Sequence, residues 1–197
     1  MNLNEECEYQ RSIAKWIDDN LSISYEHEDE NESLALSCLD VAVENHAAII
    51  ILIQSQLYGS ALSLLRVQLE ALVRGTWLLH VATPEQCVKY MKSDVPKFYK
   101  LIEEVEAAID KKDSLLSLIK ESHWGIFNDF THTGIEAIIR RKGPETTGHL
   151  NYRTEEIVKV LRHSGLYTVL AATELASLSK NQMLINKTLE FANQYGK

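Results

Sequence analysis

Apolar residues recur along this chain at spacings of three and four, and no stretch alternates at period two, so every element predicted from the pattern is a helix. The stretch Ser60–Thr83 organises the rest. Leu62, Leu65, Leu69, Leu72, Val73 and Leu79 spread around its circumference and leave no solvated side, the pattern of a central, buried helix. Its formal charges are Arg66, Glu70 and Arg74, spaced i, i+4, i+8 and therefore on one stripe. Long charged side chains are almost never fully buried without a partner, so this stripe requires partners.

The chain around it predicts further helices. Asn4–Asn20 is amphipathic, with Asn4 able to cap and Ile13, Trp16 and Ile17 on its buried edge. Ser22–Asn31 reads as an acidic loop in which His27 lies among carboxylates, a solvated charge run rather than a metal site. Leu34–Leu57 is a long helix built on Leu36, Leu39, Val43, Ile50 and Ile53. Gly59 ends it, and a tight Gly59–Ser60 connection sets it antiparallel to the central helix. Within it Asp40 and Glu44 share a stripe and are the expected partners of Arg66 and Arg74. Thr83-Pro84-Glu85-Gln86 is a capping box with proline at the first helical position, opening a short helix to Lys92. Helices over Asp94–Asp110 and Leu115–Phe130 follow, then a turn or two over Ile135–Arg141 and a loop over Gly143–Tyr152. Thr154 and Asn181 cap the last two helices, Glu155–Ser179 and Gln182–Gln194.

No internal repeat and no linker divides the chain. The expectation is one all-α domain over residues 1–197, an antiparallel bundle of about seven to nine helices around Ser60–Thr83. It comprises an N-terminal helix at 4–20, a core at 34–134 and C-terminal helices at 154–195.

Composition adds limits. A length of 197 residues, 45% of them apolar, suffices for one sizeable core. A net charge of −8 argues against a broad electrostatic grip on nucleic acid, although it leaves room for a small basic cleft. Cys7, Cys38 and Cys87 are odd in number, far apart and without a CxxC pattern, which points to reduced thiols and a cytoplasmic protein. The opening MNLNEECEYQ is acidic and unlike a signal peptide, and the apolar run Ala47–Ile53 is too short to span a bilayer. No membrane contact is expected.

Two constellations could carry chemistry. The first is Arg66, Glu70 and Arg74 with Asp40 and Glu44 opposite. Clustered ionisable groups inside a bundle can bind an anion or move protons; alternatively they fix helix register as a buried ion network. The second is Trp124–Gly134, WGIFNDFTHTG. Asn128 and His132 are spaced i, i+4 and project from one face near a helix C-terminus, a place that favours a protonated imidazole and so suits a general acid. His46 and His80 lie in apolar helices, where a satisfied core histidine is expected, and His149 lies in a loop. A di-metal carboxylate site would need Glu-x-x-His, which does not occur, and Glu44-Asn45-His46 has the wrong spacing. No phosphate-binding glycine loop is present, and no cofactor is expected. Arg140-Arg141-Lys142 is the one compact basic run, close in sequence to His132.

A mostly apolar helix with an R-x3-E-x3-R stripe, followed by a helix ending in N-x3-H, resembles the HEPN superfamily of all-α domains. ENHAAIIILI, ALSLLRVQLEALVRGTWLL and W-x3-N-x-F-x-H-x-G resemble more closely a group of uncharacterised bacterial helical proteins at the edge of that superfamily. The resemblance covers Glu32–Gly134. It implies a metal-independent ribonuclease site formed by an arginine, a polar residue and a histidine, with two copies brought together by homodimerisation. The polar residue would be Asn128 and the histidine His132; the motif's arginine position is Phe127 here, so that Arg66 or Arg74 would have to supply the charge.

Two functions follow as expectations. One is a HEPN-like module that binds RNA or a nucleotide and cleaves RNA in a toxin or defence role, with His132, Asn128 and Arg66 as its site. The other is a non-catalytic helical dimerisation module for a partner protein, in which Arg74, Glu70, Glu44 and Asp40 are structural.

Overall fold

The computed structural model describes residues 2–21, 29–109, 115–142 and 151–195. These residues form nine helices and no strand: α1 (Leu3–Leu21), α2 (Glu30–Gln54), α3 (Tyr58–His80), α4 (Pro84–Met91), α5 (Phe98–Ile109), α6 (Leu115–Thr131), α7 (Ile135–Ile139), α8 (Thr154–Leu178) and α9 (Gln182–Gln194). His27 and His149 lie outside the described residues.

Helix α3 is the centre. It packs against α2, α5, α6 and α8. Leu65, Leu69, Leu72, Val73, Trp77 and Leu78 are buried on its several sides and belong to one continuous core shared with α1, α2, α5, α6 and α8. The apolar circumference read from the sequence is thus satisfied by neighbours on most sides. The approach of α2 to α3 depends on Gly75: a Cβ there would come within 2.7 Å of the Leu39 side chain and 3.2 Å of the Ala35 carbonyl oxygen.

A polar layer crosses this core. His46 of α2, wholly buried, shares a 2.8 Å hydrogen bond between Nδ1 and Ser164 Oγ of α8, and its Nε2 lies 3.3 Å from the Gln10 carbonyl oxygen of α1. Gln68 of α3 donates through Nε2 to the carbonyl oxygens of Ala42 and Ser164, each at 3.0 Å. Four helices are thereby tied at one level, and burial holds the His46 pKa down at about 4. His46 is the satisfied core histidine expected. His80 is not: it is exposed at the end of α3, and its Nε2 lies 2.8 Å from Glu174 Oε2, a partner that raises its pKa.

The element ends follow local chemistry. The Thr83–Gln86 capping box forms with both reciprocal bonds. Asn181 caps α9 by accepting from the amides of Met183 and Leu184. The turn between α2 and α3 sits earlier than Gly59–Ser60. It is made by Ser55–Leu57, with Gln56 in the left-handed region at φ 58°, and Gly59 falls in the first turn of α3. What keeps Gly59 small is neighbouring side chains: a Cβ there would sit 3.2 Å from Tyr152 Oη and 3.3 Å from Arg141 Nη2. Thr154 is the first helical residue of α8 rather than its cap.

Helix α2 is long and apolar enough to cross a bilayer by length and composition. Its Ala35, Leu39, Ala42, His46, Ile49, Ile50 and Ile53 are buried, and it packs against α3 and α8 as a core helix does.

Candidate functional site

Two stripes face one another across α3 and α6. On α3, Arg66, Glu70 and Arg74 are one turn apart, and Glu70 bridges both arginines. Arg66 Nε donates to Glu70 Oε1 at 2.8 Å, and Arg74 Nη2 donates to Glu70 Oε2 at 2.7 Å. The side chains of Arg66 and Glu70 are 17% exposed and that of Arg74 is 38% exposed, so the stripe lies at the edge of the core rather than inside it. On α6, Trp124, Asn128 and His132 are likewise spaced i, i+4, i+8. The Arg66 guanidinium lies over the Trp124 ring, 4.7 Å from its centroid. Its Nη1 lies 2.9 Å from His132 Nε2.

The last contact fixes a tautomer. A guanidinium only donates, so His132 Nε2 accepts with its lone pair, and the proton of a neutral ring sits on Nδ1. Arg66 is thus held at three points: a carboxylate at one edge, an indole below and an imidazole at its end. The local formal charge is one positive, from two arginines against one glutamate, in a chain whose net charge is −8.

The backbone presents His132 just beyond the end of α6. Its amide bonds to the Asn128 carbonyl oxygen at 2.9 Å, and Thr133 follows in the left-handed region at φ 58°. Asp129 closes the turn, since its carbonyl oxygen accepts from the Gly134 amide at 2.6 Å and its Oδ2 from the Glu136 amide at 3.0 Å. Ser63 of α3 donates to the Phe130 carbonyl oxygen at 2.8 Å and pins the same end of α6 to α3. His132 itself is exposed. Asn128 is half-buried, one turn before His132, and its side chain makes no hydrogen bond among the described residues.

The structure therefore brings together Arg66, Glu70, Arg74 and His132, with Asn128 one turn from His132. It separates Asp40 and Glu44 from them. Both are exposed and line a groove between α1 and α2, beside Ala14, Lys15 and Asp18. The reason is helical phase: the buried stripe of α2 runs through Leu39, Ala42, His46 and Ile49, which rotates Asp40 and Glu44 toward α1. Phe127 is 2% exposed and serves the core, so position 127 puts no charge at the site. Arg140 of the basic run pairs with Glu156 at 2.7 Å and does not reach toward His132. Trp124 is the site residue that pattern reading left out; its signal is W-x3-N-x3-H, the counterpart on α6 of the charged stripe on α3. Among the described residues no group of three or more His, Cys, Asp or Glu is placed to hold a metal ion.

The chain belongs to a family of unknown function (DUF6988), matched over residues 39–197. That span holds all of α3 to α9 and therefore both stripes. No curated protein and no solved structure matches the chain.

Proposed function

We propose that this is a HEPN-like helical module of the cytoplasm that binds RNA and cleaves it without a metal, in a toxin or defence role. The observation that supports the reading is the 2.9 Å contact between Arg66 Nη1 and His132 Nε2 on an exposed edge of the bundle. It supplies from α3 the arginine that position 127 lacks.

In this reading a phosphodiester takes the place of His132 as an acceptor for the Arg66 guanidinium, with Asn128 helping to orient the phosphate. Glu70 and Trp124 keep the guanidinium in place as it changes partner. His132 Nε2, its lone pair freed, takes the proton of the ribose 2′-hydroxyl as general base. The 2′-oxygen attacks phosphorus and the bond to the 5′-oxygen breaks. A 2′,3′-cyclic phosphate and a 5′-hydroxyl result, once the 5′-oxygen receives a proton. Arg66 offsets the charge that develops on the non-bridging oxygens. In a homodimer a second copy of the motif supplies that proton. Support for pairing comes from α7, beside His132, where Ile135, Ile138 and Ile139 are 65%, 48% and 52% exposed.

The test is direct. The purified protein should degrade a mixed RNA pool in the presence of a chelator. His132→Ala should lower the rate about 10²–10⁴-fold, the usual worth of general acid–base help, with an unchanged melting curve. An RNA pool left intact by the unmodified protein, with and without divalent metal, overturns the reading.

The competing reading is a non-catalytic dimerisation module for a partner protein. It is favoured by one observation: Glu70 already pairs with both arginines, as a register-fixing network would.

A further inference from the structure

The Trp124 ring beneath Arg66 is itself placed by a residue of α5. Phe98 stacks on it, with ring centroids 4.5 Å apart and planes 13° from parallel. Both residues are half-buried. The Trp124 side chain makes no hydrogen bond among the described residues, so packing sets its orientation. Phe98 is the one aromatic ring stacked on it among those residues.

Phe98 is in turn held by the way α5 is fixed. It lies one turn before Leu101 and Ile102, on the same face, and these two and Val105 are each 1% exposed. Two polar ties hold the helix to its neighbours α3 and α6. Trp77 Nε1 of α3 donates to Glu104 Oε2 at 2.7 Å. Ser117 of α6 donates to the Glu106 carboxylate through its amide at 2.9 Å and its hydroxyl at 2.6 Å. The start of α5 therefore presents the Phe98 ring from a firm base.

This matters for Arg66. A guanidinium is a planar fork whose donors point outward in its plane. Arg66 uses that plane for two bonds, from Nε to Glu70 and from Nη1 to His132. A surface against its face stops the fork from tilting away from His132, and the Trp124 ring, 4.7 Å from the guanidinium carbon, is that surface. We propose that Phe98 is a positioning residue: through the Trp124 ring it keeps Arg66 Nη1 on His132 Nε2. This role rests on the reading of that pair as the functional site.

Nitrogen-15 NMR of the full chain with labelled histidine tests it, at about pH 8.5, where an ordinary histidine is neutral. The signal missing from His132→Ala identifies His132. In the wild type it should report the Nδ1–H tautomer, because Arg66 donates to Nε2. A neutral histidine in water favours the Nε2–H form instead. Phe98→Leu keeps apolar bulk and removes the ring, so it should shift His132 toward Nε2–H. Trp124→Leu, which removes the stack from the other side, should shift it as well. Phe98→Tyr keeps the stack and should retain the wild-type signal. RNA cleavage should follow the same order, about three- to tenfold slower in Phe98→Leu, the rate equivalent of one aromatic stack, and restored in Phe98→Tyr. A residue that only fills space would move the melting curve and leave the tautomer alone. A wild type in the Nε2–H form, an unchanged tautomer in Phe98→Leu and Trp124→Leu, or a Phe98→Tyr shift as large as that of Phe98→Leu overturns the proposal. The tautomer is read without RNA, so RNA left whole by the wild type counts against cleavage alone.

Discussion

Glu70→Ala removes the group that joins the two arginines of α3, and its cost can be worked from the contacts. The Arg66–Glu70 bond is 2.8 Å between two side chains each 17% exposed, so it counts as a charge-assisted hydrogen bond, worth about 1.5–3 kcal/mol. The Arg74–Glu70 bond is as short, but Arg74 is 38% exposed, and solvent screening reduces it to about 0.3–0.5 kcal/mol. Alanine's better helix propensity returns a few tenths, roughly 0.4 kcal/mol. The net loss is about 1.5–3 kcal/mol, which for a chain of this size lowers Tm by about 3–12 °C. Circular dichroism melts of the wild type, Glu70→Ala and Glu70→Gln measure it. The glutamine keeps one acceptor for Arg66 and should recover about half the loss. A change in Glu70→Ala within about 0.5 kcal/mol, the level of an ordinary surface substitution, would show that the bridge holds nothing and refute the reasoning.

Four other outcomes follow. His46 has a pKa of about 4 in the fold against an ordinary value near 6.5, so the unfolded chain takes up a proton that the native one refuses. Stability should fall as pH drops from about 6.5 to about 4, by on the order of 3 kcal/mol from this group, and urea unfolding of His46→Gln should show a flatter profile. His80, raised by Glu174, works in the opposite sense: its contribution is full below about 6.5 and lost as pH rises through its folded value. Gly75→Ala should destabilise by about 1–3 kcal/mol despite the helix propensity of alanine, because its Cβ meets Leu39 and the Ala35 carbonyl; a stabilised variant would show that α2 can move away. Light scattering at micromolar concentration should give twice the 22.4 kDa chain mass, and Ile135→Asp with Ile138→Asp should return it to that of one chain; a wild type that is monomeric throughout contradicts pairing.

Much of the fold was legible in the sequence because helical periodicity is local. Leu62, Leu65, Leu69 and Leu72 announce a helix buried on most sides, and the Thr83–Gln86 box announces a start, without reference to any distant residue. The boundary near Gly59 was misplaced because a glycine was read as a helix terminator, when its smallness answers Tyr152 and Arg141, more than eighty residues away. The candidate site divides in the same way. The i, i+4 bonds from Arg66 and Arg74 to Glu70 follow from spacing within one helix. The contact from Arg66 to His132 joins residues 66 positions apart and depends on how α6 rotates on α3, which period alone does not fix. Asp40 and Glu44 show the converse error: matching charges on neighbouring helices were paired, but the buried stripe of α2 turns them toward α1.

The central claim is that Arg66 and His132 act as one unit on a phosphodiester, and a double-mutant cycle on RNA cleavage tests it most directly. Rates are measured on a short oligoribonucleotide in chelator for the wild type, Arg66→Ala, His132→Ala and the double variant, each with its melting curve. Groups that act together in one step are strongly non-additive. The account predicts that each single variant loses most of the cleavage and that the double variant is slower than the worse single one by no more than about threefold. Losses that multiply in the double variant, or a wild type that leaves the oligoribonucleotide whole, would contradict it.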